Sequence, residues 1–375
     1  MASPVKTSEF LVLAIRGDRL TSRLEGLIAS WRMARGLGRH LVFTWPKPFA
    51  HEEADYLASS IFDLEGMAGS PESHDLKILE QRGVPRQGAL DLRTEAGWPD
   101  ALDRKKLAEW PAHIFVNARH DMEFKGEDPE QVRRERKELF KLLRTQPVVT
   151  ENLERAMDWI GPKPFTAVHI RRGDLMTKLG KSLTRFRAWP PEAPTDTPEF
   201  AAMAEELRIG LFHFTMRVAP LESYAKAARQ SPPAERILVF SDSDAVALEF
   251  QQSLPEREVL RADSFAAPLN EIQRAWLDVL LMMRARKIIG TGSSFSNFAS
   301  FYGEVPLIDV RAKTAKAKIV AFFFQSFATY VDDSPALQKR CARILNTLID
   351  KQFRWRYWPA VLRLYKRAYF LLHSK

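Results

Sequence analysis

The chain has 375 residues and 43.0 kDa, 45% hydrophobic and 27% charged, enough for two domains that each bury a core. A single cysteine, Cys341, excludes an intramolecular disulfide and any multi-cysteine metal site, and the longest nearly apolar stretch, residues 319–331, falls short of the roughly 20 residues of a spanning helix. The net charge of +9 belongs to residues 335–375, where ten Lys and Arg stand against Asp350 alone; the other 334 residues balance at 46 basic and 46 acidic, so no nucleic-acid-binding body is expected.

The opening MASPVKTSEFLVLAI carries one lysine and no small-residue cleavage site, so a cytoplasmic protein is expected. Residues 10–15 read as a buried strand and Arg16-Gly17-Asp18 as a turn. Leu20, Leu24, Leu27, Ile28, Trp31 and Ala34 then recur at helical spacing, and residues 40–45 form a second strand closed by Pro46 and Pro48. Residues 66–110, rich in Gly, Pro and charge, read as irregular. Helices are expected over 133–143 and over 150–160, the second capped by Thr150 ahead of Glu151. Gly161-Pro-Lys-Pro164 breaks the chain near a domain boundary. Residues 165–170 read as a strand and 189–198 as a Pro-rich loop. Residues 237–240 read as an interior strand, and 271–286 as an amphipathic helix with Ile272, Trp276, Val279, Leu280 and Met283 on one side. Strands at 287–290 and 305–310 complete an alternation that calls for a parallel sheet.

Three segments carry chemistry. In Phe165-Thr-Ala-Val-His-Ile-Arg-Arg-Gly-Asp174, His169 and Arg171 project to one side of a strand while Val168 and Ile170 project to the other. Guanidinium forks at the C-terminal end of a parallel strand suit an anionic ligand. Ile288-Ile-Gly-Thr-Gly-Ser-Ser-Phe-Ser-Asn297 is a strand-to-helix turn of small hydroxyl residues, which leaves backbone N–H groups for phosphate. It lacks the Gly-Lys-Ser/Thr of a Walker loop and the Gly-x-Ser-x-Gly of a hydrolase elbow. Asp242-Ser-Asp244 follows the 237–240 strand and fits either a metal-holding Asp-x-Asp or an ordinary turn. Asp278 reads by itself as a solvated helix residue.

Together these segments resemble the α1,2-, α1,6- and protein O-fucosyltransferase superfamily, the nodulation-type bacterial enzymes included. The resemblance rests on His169-Ile-Arg171-Arg172, on Ser241-Asp242, on Ser293-Ser294-Phe295-Ser296, and on the interval from Asp278 to Ser294. It covers residues 10–48 and 135–310. Residues 17–45 depart from the usual Gly-x-Gly-Asn-x-Leu opening. The resemblance implies an α/β fold of the GT-B kind, two Rossmann-like domains facing across a cleft. Residues 1–155 would be the acceptor side, 156–334 the nucleotide-sugar side, and 335–375 a basic helical tail. It implies an inverting, metal-independent transferase that carries fucose from GDP-fucose to a glycan or glycolipid hydroxyl, with no cofactor. Arg171 would meet the β-phosphate, with His169, Arg172 and Asp174 supporting nucleotide and sugar, and Asp242 would help build the site. Asp278 would accept from guanine, and Ser293, Ser294, Phe295 and Ser296 would line the nucleotide. His169, Arg171 and Arg172 would supply the charge that a metal otherwise brings. Asp18 is the candidate base, with Asp174 behind it.

Other readings of the residues are a transferase of another nucleotide sugar, one held together by metal on Asp242 and Asp244, and a non-catalytic adaptor acting through its tail. Residues 354–372 mix aromatic and aliphatic side chains with cations, as interfacial helices do, so peripheral contact with the inner membrane face is expected of 335–375. In co-sedimentation the protein should bind anionic vesicles, less so as salt rises. Equal binding to neutral vesicles, or no binding, excludes that role.

Overall fold

The computed structural model describes residues 11–16, 20–45, 56–80, 90–91, 102–118, 122–171, 181, 185, 197–199, 202–203, 206, 219, 221–265 and 267–311. By contact the chain gathers into two compact units. One comprises Met1–Pro164, Ala262–Ile288 and Ser294–Pro306; the other comprises Phe165–Arg261, Ile289–Ser293 and Leu307–Lys375.

In the first unit β1 (Leu11–Ile15), α1 (Leu20–Gly36) and β2 (His40–Thr44) form the expected strand, helix and strand. A short helix, α2 (Leu64–Ala68), leads to β3 (Leu76–Leu79) and β4 (Leu90–Asp91), and α3 (Arg104–Ala108) leads to β5 (Ile114–Asn117). The sheet order is β3-β2-β1-β5-β4 with every pairing parallel. A parallel strand is covered on both faces, which is why β1 reads as an unbroken apolar run. Among the described residues, 66–110 thus hold the end of α2, β3, β4 and α3 where the sequence shows no period, because Leu76–Leu79 is interrupted by exposed Lys77 and Leu90–Asp91 is only two residues long.

α1 ends on Gly38, whose φ of +67° is left-handed; Gly38 N–H donates to the Arg35 carbonyl and Arg39 N–H to the Ala34 carbonyl. α4 (Pro129–Lys141) starts from Asp128, whose carboxylate accepts from the Glu130 and Gln131 N–H groups. α5 (Pro147–Ile160) begins three residues before the expected cap: Pro147 occupies the first turn, and Thr150 lies inside the helix with its hydroxyl turned to the Gln146 carbonyl.

The second unit holds β6 (Phe165–Ile170), α6 (Leu221–Arg229), β7 (Arg236–Ser241), α7 (Asp244–Gln252) and β8 (Val259–Arg261). The chain continues through α8 (Glu271–Arg284), β9 (Lys287–Gly290), α9 (Ser294–Gly303) and β10 (Leu307–Asp309). The second sheet runs β10-β9-β6-β7-β8, with β6, β7 and β8 parallel. Its core joins Val168, Ile170, Ile237 and Val239 to Tyr224, Ala228 and Phe250. α8 begins with a capping box, Asn270 and Gln273 each bonding the other's backbone N–H at 3.0 and 3.1 Å. Ile272, Trp276 and Val279 are buried as expected, whereas Leu280 and Met283 are half-buried; Leu277, Leu281 and Met282, off the expected face, are buried too, so α8 is covered on more than one side. Two parallel sheets flanked by helices establish the α/β class; residues 335–375 lie outside the described residues.

Among the described residues, three arginines are sealed in the first unit. Arg23 stacks over Trp45 and Tyr56 at 5.2 and 5.1 Å. Arg39 donates to the carbonyls of Ala112, Trp110 and Leu107 at 2.6, 2.6 and 3.1 Å, tying the chain ahead of β5 to the start of β2. Arg32, only 4% exposed, forms a two-pronged pair with Glu127 at 2.7 and 2.8 Å and donates to the Met122 carbonyl at 3.0 Å. Burial by itself would raise the Glu127 carboxyl, but its bonds from Arg32 and the Phe124 N–H hold it below the ordinary range. The pair therefore stabilises fully above that range and is lost as pH falls through the depressed pKa. Arg32→Met should cost about 3–5 kcal/mol, because it strands Glu127, and Arg32→Met/Glu127→Leu should recover part of that. Urea midpoints of the three proteins check this; a double variant no better than the single one sinks it.

Candidate functional site

β6 is buried along its whole length, and its parallel register sets His169 against Phe240 and Ile170 against Ser241. Strands β6 and β7 therefore end side by side, Arg171 emerging next to Ser241-Asp242. On the other flank of β6, β9 ends at Gly290 and passes through Thr291, Gly292 and Ser293. Gly292 has φ +59°, a left-handed conformation that glycine adopts without a Cβ clash. The sheet runs from β6 out to β7 and β8, then returns to place β9 on the opposite side. β6 and β9 thus frame the switch point where open parallel sheets take ligands.

A hydrogen bond closes this point. Ser293 Oγ and His169 Nδ1 lie 3.2 Å apart, both residues buried, across 124 positions of sequence. Burial lowers the His169 pKa to about 4; nearby Arg171 lowers it further and Asp242 opposes the shift. Burial therefore holds the imidazole neutral at physiological pH. The cation here is Arg171, half-buried just past the strand. Beside it Thr291 is fully buried, and its hydroxyl has no hydrogen-bond partner among the described residues. Nothing in the sequence singles out Thr291 within the turn.

Asp242 is exposed, and the Ser243 N–H donates to Ser241 Oγ at 3.2 Å. Asp244 is exposed in the first turn of α7, where a carboxylate complements the helix dipole. At the start of α9, Ser294 is exposed, Phe295 half-buried and Ser296 fully buried. Asp18, Arg172 and Asp174 lie outside the described residues.

Within the first unit, Asp278 sits on α8 one turn beyond Arg274. Its Oδ1 is buried without a hydrogen bond, and Arg274 Nε stays 3.6 Å away, although a quarter of the side chain keeps its exposure. Arg274 is held elsewhere, donating to the Phe265 carbonyl at 2.7 Å and to that of Ala262. Burial pushes the Asp278 carboxyl up to about 7; Arg274 opposes this and Asp263 reinforces it. The i, i+4 spacing of Arg274 and Asp278 is visible in sequence, whereas the part of Asp263 is not. A carboxyl raised by folding binds its proton more tightly in the native state, so stability falls as pH climbs from about 4 to about 7. Asp278→Asn should remove this slope, leaving the variant more stable than the parent at pH 8 and level with it near pH 4. Thermal midpoints across that range decide the matter; parallel profiles exclude an unpaired buried carboxyl.

No protein-family profile matches the chain, and no curated protein does. Among solved structures, POFUT1 in complex with GDP is similar at 16% identity over 81% of this chain and 99% of that one, with a TM-score of 0.46. NodZ alpha-1,6-fucosyltransferase soaked with GDP-fucose is similar at 15% identity over 80% of this chain and 94% of that one, with a TM-score of 0.45. Fucosyltransferase NodZ from Bradyrhizobium is similar at 17% identity over 80% and 95%, with a TM-score of 0.45.

Proposed function

We propose that the chain is a glycosyltransferase, and more narrowly an inverting one that carries fucose from GDP-fucose to a hydroxyl of a glycan or glycolipid, without a metal. The observation that carries this reading is the switch point of the second sheet. There the imidazole and guanidinium that end β6, Ser241-Asp242 at the end of β7 and the serine turn after β9 converge from three segments, the same three that resemble the fucosyltransferase motifs. The reading puts the enzyme in the cytoplasm, with residues 335–375 against the inner membrane face.

The chemistry follows from charge. As the bond between the sugar carbon and the β-phosphate oxygen breaks, its electron pair goes to that oxygen, and the sugar passes through an oxocarbenium-like state. Arg171 neutralises the growing charge with a planar fork of donors. N–H groups of the Gly290–Ser293 turn add fixed dipoles, and the Thr291 hydroxyl is a further donor without a competing bond. If Ser293 donates to Nδ1, the neutral His169 keeps its proton on Nε2 and offers it to the diphosphate. The acceptor oxygen attacks from the opposite face of the sugar carbon and yields its proton to a base, the role assigned to Asp18. Asp278 accepts from guanine N1–H and the exocyclic amine; these two donors stabilise the ionised carboxylate that burial disfavours, so guanine binding releases a proton near neutral pH.

Another nucleotide sugar, or metal held by Asp242 and Asp244, is the competing enzyme reading, and one assay separates them. Turnover of GDP-fucose should be equal in EDTA and in Mn²⁺. Arg171→Ala and Arg171→Lys should each lose ~100-fold or more, since lysine keeps the charge but not the fork. Their thermal midpoints should match the parent. Activity that returns only with metal, or near-normal turnover by Arg171→Ala, overturns the reading.

A further inference from the structure

The first sheet has its own switch point. From β1 the chain adds β2 and β3 on one side and places β5 and β4 on the other, so the C-terminal ends of β1 and β5 frame a second natural ligand position. A pocket of about 800 Å³ lies there, within the size range of small-ligand sites. Arg16 enters it as the residue after β1. Its stem lies against α1 where Gly26 leaves room, since a Cβ at Gly26 would fall 2.9 Å from Arg16 Cδ. Its guanidinium donates to the Ala118 carbonyl, just past β5, at 2.9 Å.

The pocket walls are cationic. α4 contributes Arg133, Arg136 and Lys137, which make four cations with Arg16, against two lining carboxylates. Glu25 is bound to Arg136, and Glu304 to Lys137. Arg133 meets Glu130 only at 3.8 Å, with both side chains more than half exposed, a geometry that neutralises little. Among the lining residues the cations thus outnumber the carboxylates by two. All three α4 cations sit over the Phe301 ring, at 5.3 to 5.9 Å, which fixes them as a rim. Between them, Ser22 and Asn297 offer neutral donors and acceptors of the kind that sugar hydroxyls use.

We propose that this pocket seats an anionic oligosaccharide, a glycan whose carboxylate or phosphate meets Arg16 and Arg133 while its hydroxyls meet Ser22 and Asn297. That this glycan is the acceptor rests on the glycosyl-transfer reading above; that the pocket binds it does not. The pocket also includes Ser294, which opens α9 and which the resemblance assigns to the nucleotide, so the donor is the rival occupant.

Calorimetry on the full chain, with and without GDP, would use a hyaluronan tetrasaccharide, a phosphorylated mannose disaccharide, neutral chitotetraose and inorganic phosphate. One of the two acidic sugars should bind at least tenfold more tightly than chitotetraose, and which one does so names the acid. Arg133→Glu and, separately, Asn297→Asp should each weaken that sugar tenfold or more and leave GDP affinity and thermal midpoint unchanged; both positions are exposed. Equal binding of chitotetraose, failure of both acidic sugars to bind, inorganic phosphate binding as tightly as the sugar, or indifference to both substitutions overturns the proposal. Loss of GDP together with the sugar in Arg133→Glu also overturns it, by giving the pocket to the donor. If the parent binds the acidic sugar as expected but never binds GDP, the transferase reading falls and the pocket assignment stands.

Discussion

Everything chemical in the second unit depends on how a parallel sheet orders its strands. β6 comes first, β7 and β8 extend from one flank, and β9 returns to the other. Parallel strands end on a common edge, so segments 70 and 120 residues apart in sequence arrive together without any local preference for one another. Strand register then decides which atoms meet. One residue of slip in β6 would turn His169 away from Ser293 and carry Arg171 to the opposite face. That register is held by the buried runs of β6 and β7, whose Val168, Ile170, Ile237 and Val239 share one core with Phe250 and Tyr224. The apolar packing below the site thus sets the position of a guanidinium above it.

The molecule treats buried ionisable groups in three ways, and the difference separates scaffold from chemistry. Arg32 and Glu127 are both desolvated, and both keep their charge because each supplies the other's hydrogen bonds. His169 meets a serine hydroxyl, a neutral partner, and burial beside Arg171 keeps it neutral. Asp278 has an arginine one turn away that is committed to two carbonyls, so its carboxyl is held near the point of ionisation. A group left in that condition by folding is one that a ligand can satisfy.

Much of this was readable from sequence, for identifiable reasons. β1, β2, β6, β7 and β9 are buried on both faces and show as short apolar runs, and α8 shows as a face of apolar residues. β3 escaped because Lys77 breaks its run, and β4 because two residues carry no pattern. The start of α5 was misplaced because Pro147 does at the first turn what a capping Thr would otherwise do. The fates of charged residues were the least legible. Arg23, Arg32 and Arg39 look in sequence like any exposed arginine, since what seals them is contributed by residues 22 to 95 positions away. The same holds for His169: its place on the strand follows from alternation, whereas its loss of charge follows from burial and from Arg171.

That loss of charge sharpens what the site must do. With the imidazole neutral, positive charge in the described part of the site is concentrated on Arg171, and its remaining donors are dipoles: the turn N–H groups, Ser293 and Thr291. On the proposed reading, dipoles fixed by a left-handed glycine and a buried threonine would need no reorganisation as a leaving phosphate gained charge, and would hold a diphosphate less tightly before the reaction than a second full cation. A site built from one cation and several oriented dipoles therefore discriminates by geometry. On that reading it would favour an anion whose oxygens match the span from β6 to β9.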